Sequence, residues 1–251
     1  MSTSLPSLPQ PLPCRFVFLH GAGTGPWIWD GVRERLAGSS VALAVPTDRP
    51  GMDPERCAAA LRADPSFPVD GPVVLVLHSL AGVLEVPLVR ALGSRVVHVV
   101  HVAAVVPRPG RSFASTVGFP ANLVLPVLFR LNPRGLKPSP AMLLRELGED
   151  LSEELRAVLV ERHRPVRAGL FLEPVPSVEV RVPRTYLLCV RDRCVPPSLQ
   201  SRLAERLGAR VVPVAAGHLP MLSRPGEVAD ILARVVAVDA REVPLQFALQ
   251  A

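Results

Sequence analysis

The sequence predicts an α/β fold: a doubly wound, mostly parallel β-sheet with a helical cap inserted into it. Short β-branched apolar runs alternate with helical patterns along most of the chain, and parallel strand neighbours need such crossover connections. One connection is far longer than the others and carries helical patterns of its own. Two of the apolar runs pass directly into turns built from Gly or Ser.

Residues 1–13 are rich in Ser and Pro and lack the basic start and apolar run of a signal peptide, so a flexible leader is expected there. The runs 14–19, 41–45, 73–77, 96–102, 185–190 and 211–214 each have the length of a buried parallel strand. Helical patterns lie between and after them at 28–37, 54–63, 80–92, 197–207 and 226–238. About 80 residues separate the fourth run from the fifth, too many for a loop, and helical patterns recur there at 141–147 and 151–162. Within this Pro-rich stretch the apolar segment 117–131 either roofs a ligand pocket or packs the cap onto the sheet. The expected organisation is one core formed by 14–106 and 181–240, a cap at 107–180, and a C-terminal tail at 241–251.

Composition narrows the function classes. Hydrophobic residues make up 49% and mean hydropathy is +0.31, which supplies a large core. No run reaches the ~18–20 uninterrupted apolar residues of a membrane span, so none is expected. A net charge of +6 and a pI near 10.0 raise nucleic acid as a partner, but the 28 basic residues are scattered without a dense block, so no nucleic-acid partner is expected. Cys14, Cys57, Cys189 and Cys194 show neither metal-ligand spacing nor a C-x-x-C pair, as expected for reduced thiols of a cytoplasmic protein. No motif calls for a metal, nucleotide or flavin, so no cofactor is expected and the partner is a small-molecule substrate. The sequence leaves the oligomeric state, a homodimer included, open.

The chemistry is carried by turns that follow strands. In the segment 73–82 a buried run enters Ser79 and continues as a helical pattern, the setting of a nucleophile elbow. Such a turn lifts the hydroxyl above the sheet edge and places the next N–H groups at a helix N-terminus, where negative charge is favoured. Ala81 and Gly82 meet the need for small neighbours. Leu77 departs from the G-x-S-x-G pattern, because it stands at the first glycine. His218 follows the last run on a turn, and Asp192 lies just past the fifth. The order Ser, Asp, His, each just beyond a strand, suits a nucleophile, an orienting acid and a base at the carboxyl edge of the sheet. The glycine-rich turn 20–25 after the first run adds backbone N–H groups: that of Ala22, with that of Leu80, would form an oxyanion hole. His20 and His78 flank these two turns, and His20, Gly21 and His78 are expected to contact substrate.

With these residues the chain resembles the α/β-hydrolase superfamily, and within it the branch of plant hydroxynitrile lyases, plant methylesterases and small bacterial relatives. The resemblance is carried by His20–Trp29, by the elbow His78–Gly82, by Asp192 with Val195, Pro196 and Pro197, and by Gly217–Pro225, and it covers about 15–238. It implies a serine hydrolase with Ser79 as nucleophile, His218 as base and Asp192 as orienting acid. Ala22 and Leu80 would be the oxyanion donors, and the substrate a small to medium apolar ester, thioester or lactone. The lyases of that branch use a threonine and a lysine. Here the threonine position is Gly21, and the single lysine, Lys137, stands in the cap, far in sequence from acid and base. Esterase-like chemistry is therefore expected ahead of lyase or cyclase chemistry on the same scaffold, and ahead of ligand binding without turnover.

Overall fold

The computed structural model describes residues 14–36 and 38–235. The expected leader, Ala37, the end of the last expected helix and the tail lie outside the described residues. Six strands, β1 (Arg15–Leu19), β2 (Ser40–Leu43), β3 (Val73–His78), β4 (Val96–Val102), β5 (Arg184–Cys189) and β6 (Arg210–Val214), form one sheet in the order β2-β1-β3-β4-β5-β6. Every neighbouring pair is parallel. All six residues of the central β3 are buried, which is why it reads as a continuous apolar run.

In chain order the helices are α1 (Asp30–Arg33), α2 (Pro54–Arg62), α3 (Glu85–Leu92), α4 (Phe113–Thr116), α5 (Ala121–Leu131), α6 (Pro140–Leu147), α7 (Glu153–Arg162), α8 (Gly169–Leu172), α9 (Pro197–Arg206) and α10 (Pro220–Ser223). A further helix, α11, begins at 225 and runs to residue 235, where description ends. Alternation along the strands sorts them into two layers. Val17, Leu19, Leu75 and Leu77 pack with α2 and α3, whereas Phe16, Phe18, Val74 and Val76 pack with α1 and α11. The sheet is thus covered on both faces, and each buried Leu or Val contributes roughly 1.5–3 kcal/mol.

Two helical expectations change. The 80–92 pattern divides into a 3₁₀ run, Ser79–Leu84, followed by α3. Pro87 has no N–H to offer the Val83 carbonyl, so regular α-helical bonding cannot pass through that point and the turn before it tightens. The 28–37 pattern likewise divides into a 3₁₀ turn, Pro26–Trp29, and the short α1. In the cap, Ser139 and Ser152 begin α6 and α7 by accepting N–H bonds from Met142 and Leu155. The apolar segment 117–131 contributes both to the apolar core and to a cavity wall. On α5, Phe129 packs 5.0 Å from Phe171 in the core, and Leu125 and Leu128 line a cavity, while Leu123 and Leu131 face solvent.

Candidate active site

The parallel sheet brings the carboxyl ends of β1, β3, β5 and β6 to one edge, and each delivers one part of the site. Ser79 follows β3 directly and has φ 53°, rare for a residue with a side chain. The backbone around it is close-packed: a Cβ on Gly82 would lie 2.4 Å from the Val105 carbonyl oxygen, so this position requires glycine. Leu77 is fully buried and points into the core with Leu75 and Leu80, so the elbow forms without the small residue usual two positions before the serine.

His218, four residues past β6, sits between Ser79 and Asp192. Its Nε2 lies 2.9 Å from Ser79 Oγ and its Nδ1 lies 2.7 Å from Asp192 Oδ2. Asp192 is buried and saturated: Oδ1 accepts the N–H groups of Cys194 (2.8 Å) and Val195 (2.9 Å), and Oδ2 also accepts from Gln200 Nε2 (3.0 Å). Burial opposes protonation of His218, but the contact with Asp192, aided by Cys194, outweighs it and raises the imidazole pKa above its ordinary value.

The other two histidines at the edge are held neutral. His78 Nδ1 accepts the Gly21 N–H (3.2 Å), so its Nε2 carries the proton and donates to the His218 carbonyl (3.0 Å). Burial, then the neighbouring His218, drives its pKa well down. His20 Nε2 accepts the Val45 N–H (2.9 Å) and Nδ1 donates to the Gly21 carbonyl (2.8 Å); burial lowers its pKa to about 4.

A cavity of about 480 Å³ opens above these groups. Its floor includes Ala22, His78, Ser79 and His218, and its roof is cap, chiefly Leu125, Leu128, Phe129, Met142 and Leu143. The volume suits a small to medium organic ligand. The Ala22 N–H has no hydrogen-bond partner among the described residues, and Leu80 is the second residue of a 3₁₀ turn, where N–H groups have no intrahelical acceptor. His20 and Gly21, expected at the substrate, are not part of the cavity lining. Both ring nitrogens of His20 are engaged by backbone, and Gly21 packs against the elbow, where a Cβ would fall 2.8 Å from Ser79 Cβ. Lys137, in the cap and far in sequence from Asp192 and His218, lines the cavity.

Sequence patterns gave no signal for Gln200 or Asp150. Gln200, fully buried on α9, also accepts the Cys189 N–H (3.0 Å) and donates to the Val195 carbonyl (2.7 Å), fixing the turn that carries Asp192. Asp150, between α6 and α7, accepts the Gly217 N–H (2.8 Å) and the Ser223 hydroxyl (2.9 Å), tying the cap to the His218 turn.

A sequence profile of the alpha/beta hydrolase family matches residues 16–231. Norfluorocurarine synthase 2 of a Strychnos species is 25% identical over 260 residues, spanning 88% of this chain and 94% of that protein. Polyneuridine aldehyde esterase of Rauvolfia serpentina is 26% identical, spanning 86% and 93%. Among solved structures, an extracellular alpha/beta-hydrolase from a Paenibacillus species, described as homologous to tobacco salicylic acid binding protein 2, superposes with a TM-score of 0.77 at 16% identity, covering 88% of this chain and 98% of that one. At that identity the superposition speaks for the fold.

Proposed function

The chain belongs to the alpha/beta hydrolase family, and from that premise we propose that it is a serine esterase acting on a small to medium apolar ester, thioester or lactone. One observation carries the proposal: the unbroken hydrogen-bonded chain from Asp192 through His218 to Ser79, ending at the floor of an apolar cavity. Ser79 Oγ attacks the substrate carbonyl as His218 Nε2 takes its proton, and Asp192 holds the Nδ1–H tautomer and stabilises the imidazolium. The N–H groups of Ala22 and Leu80 bind the oxyanion. Collapse expels the alcohol or thiol, protonated by His218, and water activated by the same imidazole releases the acid. His78 acts as a brace: its Nε2–H bond to the His218 carbonyl supports the base from behind. The cap, 107–180, serves as the lid that encloses substrate.

Lyase chemistry is the second reading, favoured by Lys137 at the cavity and opposed by Gly21. A threonine at position 21 would drive its Cβ into Ser79. The test is incubation with a fluorescent fluorophosphonate, wild type beside Ser79→Ala, with peptide mapping. Labelling of Ser79 that is absent from the variant, with ester turnover reduced at least about 10³-fold, supports the esterase. Turnover that survives Ser79→Ala but not His218→Ala moves the assignment to a lyase. Ligand binding by an unlabelled, folded wild type without product moves it to a binding protein.

A further inference from the structure

The apolar cavity has a polar side, and the cap supplies it. His163, the residue after α7, is 4% exposed and lines the cavity, and its Nδ1 has no hydrogen-bond partner among the described residues. Lys137 lines the same cavity. The two segments are zipped together by an antiparallel bridge, Leu136 to Val166, with both N–H···O bonds at 2.8 Å. Lys137 is the only lysine in a chain otherwise charged with arginine. The acidic residue in the lining, Glu146, is taken by Arg145 at 2.8 Å, and Lys137 has no ion-pair partner among the described residues. Burial, then the Lys137 charge, lowers the His163 pKa to about 4, so the ring is a neutral group with one N–H to give.

The position of this pair relative to the chemistry is set by Gly23. A Cβ there would lie 2.2 Å from His163 Cε1 and Nε2, and the Gly23 carbonyl accepts the Arg164 N–H at 2.8 Å. His163 therefore rests on the loop that offers the Ala22 N–H, on the side where the substrate carbonyl and its acyl part would lie. The leaving oxygen belongs at His218 Nε2, which protonates it in the collapse step.

We infer that His163 and Lys137 form an anion-recognising subsite, and that the preferred substrate is an ester whose acyl part carries a second, free carboxylate. The inference deepens the esterase proposal and rests on it for the reacting bond. Lys137 supplies the charge and His163 a neutral N–H at the cavity wall. Hydrolysis then adds one water and yields an alcohol and a dicarboxylate.

The test compares monomethyl esters of C4 to C8 dicarboxylic acids with methyl esters of the matched monocarboxylic acids, following methanol release. In the wild type, kcat/KM for the best acid ester is expected to exceed its neutral partner at least tenfold. Lys137→Met and His163→Phe are each expected to cut that ratio tenfold or more, mainly through KM. Lys137 is exposed, so its replacement leaves the fold intact even where the buried His163 variant does not. A wild-type ratio near one, or a ratio that both variants preserve, overturns the inference while fluorophosphonate labelling of Ser79 still supports the esterase. If Ser79 is not labelled and no ester turns over, calorimetric binding decides the subsite separately. A free dicarboxylate that binds at least tenfold tighter than its monocarboxylate, with the difference lost in Lys137→Met, keeps the subsite. Equal binding removes it.

Discussion

Two buried histidine–carboxylate pairs lie among the described residues. His218 and Asp192 meet at 2.7 Å at the carboxyl edge of the sheet, and His101 and Glu85 meet at 2.9 Å between β4 and α3. Both histidines are almost wholly buried. What separates the pairs is the partner on the far side of each. The second nitrogen of His218 faces Ser79 and a cavity, and its carboxylate is held by uncharged N–H donors. The second nitrogen of His101 has no hydrogen-bond partner among the described residues, while Glu85 is neutralised by Arg184 at 2.6 Å. An arginine on the carboxylate closes the charge of the pair within the core. Neutral donors leave the charge of Asp192 available to an imidazolium. A histidine–carboxylate contact becomes chemically useful only in the second arrangement.

The sharpest way to break this contrast is to neutralise each acid in turn. Asp192→Asn is expected to lower kcat about 10⁴-fold, because the amide no longer fixes the Nδ1–H tautomer, whereas Glu85→Gln leaves turnover per folded molecule little changed; burst titration with kcat measurement checks both. Deleting the structural acid should move stability instead. Glu85→Ala strands Arg184 and His101 and is expected to cost about 3–5 kcal/mol in urea unfolding.

That cost also has a pH signature. Burial opposes the Glu85 carboxylate, but His101 and Arg184 together hold its pKa below the ordinary value. Its stabilising share is therefore complete above the unfolded pKa near 4.5 and is lost as the pH falls through the lowered folded value, so the gap between wild type and Glu85→Ala should close in acid. Gln200→Leu tests the neutral-donor side. It removes one bond to Asp192 and leaves the Cys189 N–H and Val195 carbonyl unpaired, for about a tenfold loss in kcat and roughly 1–3 kcal/mol of stability.

The smallest effect is a displacement of the activity profile. With the His218 pKa raised by Asp192, kcat/KM of the wild type should rise with pH with a midpoint above 6.5, as the neutral base appears. The residual activity of Asp192→Asn should rise with a lower midpoint.

Much of the architecture could be read from local pattern. Each strand of the sheet carries an apolar run within two residues of its observed bounds, and Ser79, Asp192 and His218 each stand on a turn just after one. Strand ends are legible because parallel packing makes them apolar and the following turns polar. What local pattern misses is direction and distance. His20 and Gly21 are expected at the substrate, but the His20 ring turns to the backbone of Val45 and Gly21, and Gly21 packs against Ser79, which sequence cannot foresee. Gln200 is an unremarkable polar residue on an amphipathic helix until the fold sets it under Asp192. Lys137 and His163 belong to the cap but stand outside its helices, on segments brought together by the Leu136–Val166 bridge, a long-range pairing that no local pattern announces. The division of the helix after Ser79 was in principle readable from Pro87, whose missing N–H dictates where regular helix begins.

Asp150 gives the cap a property its insertion in the chain would not suggest. Because its carboxylate bonds the Gly217 N–H and the Ser223 hydroxyl, the cap and the His218 turn share a latch, and neither is an interchangeable part. A chimaera that grafts a relative's cap onto this core to change substrate range must bring an acceptor to the same spot. Without one it would exchange specificity and unsettle the base turn in a single cut. Recombination boundaries in this scaffold are therefore set by that latch as much as by the ends of β4 and β5.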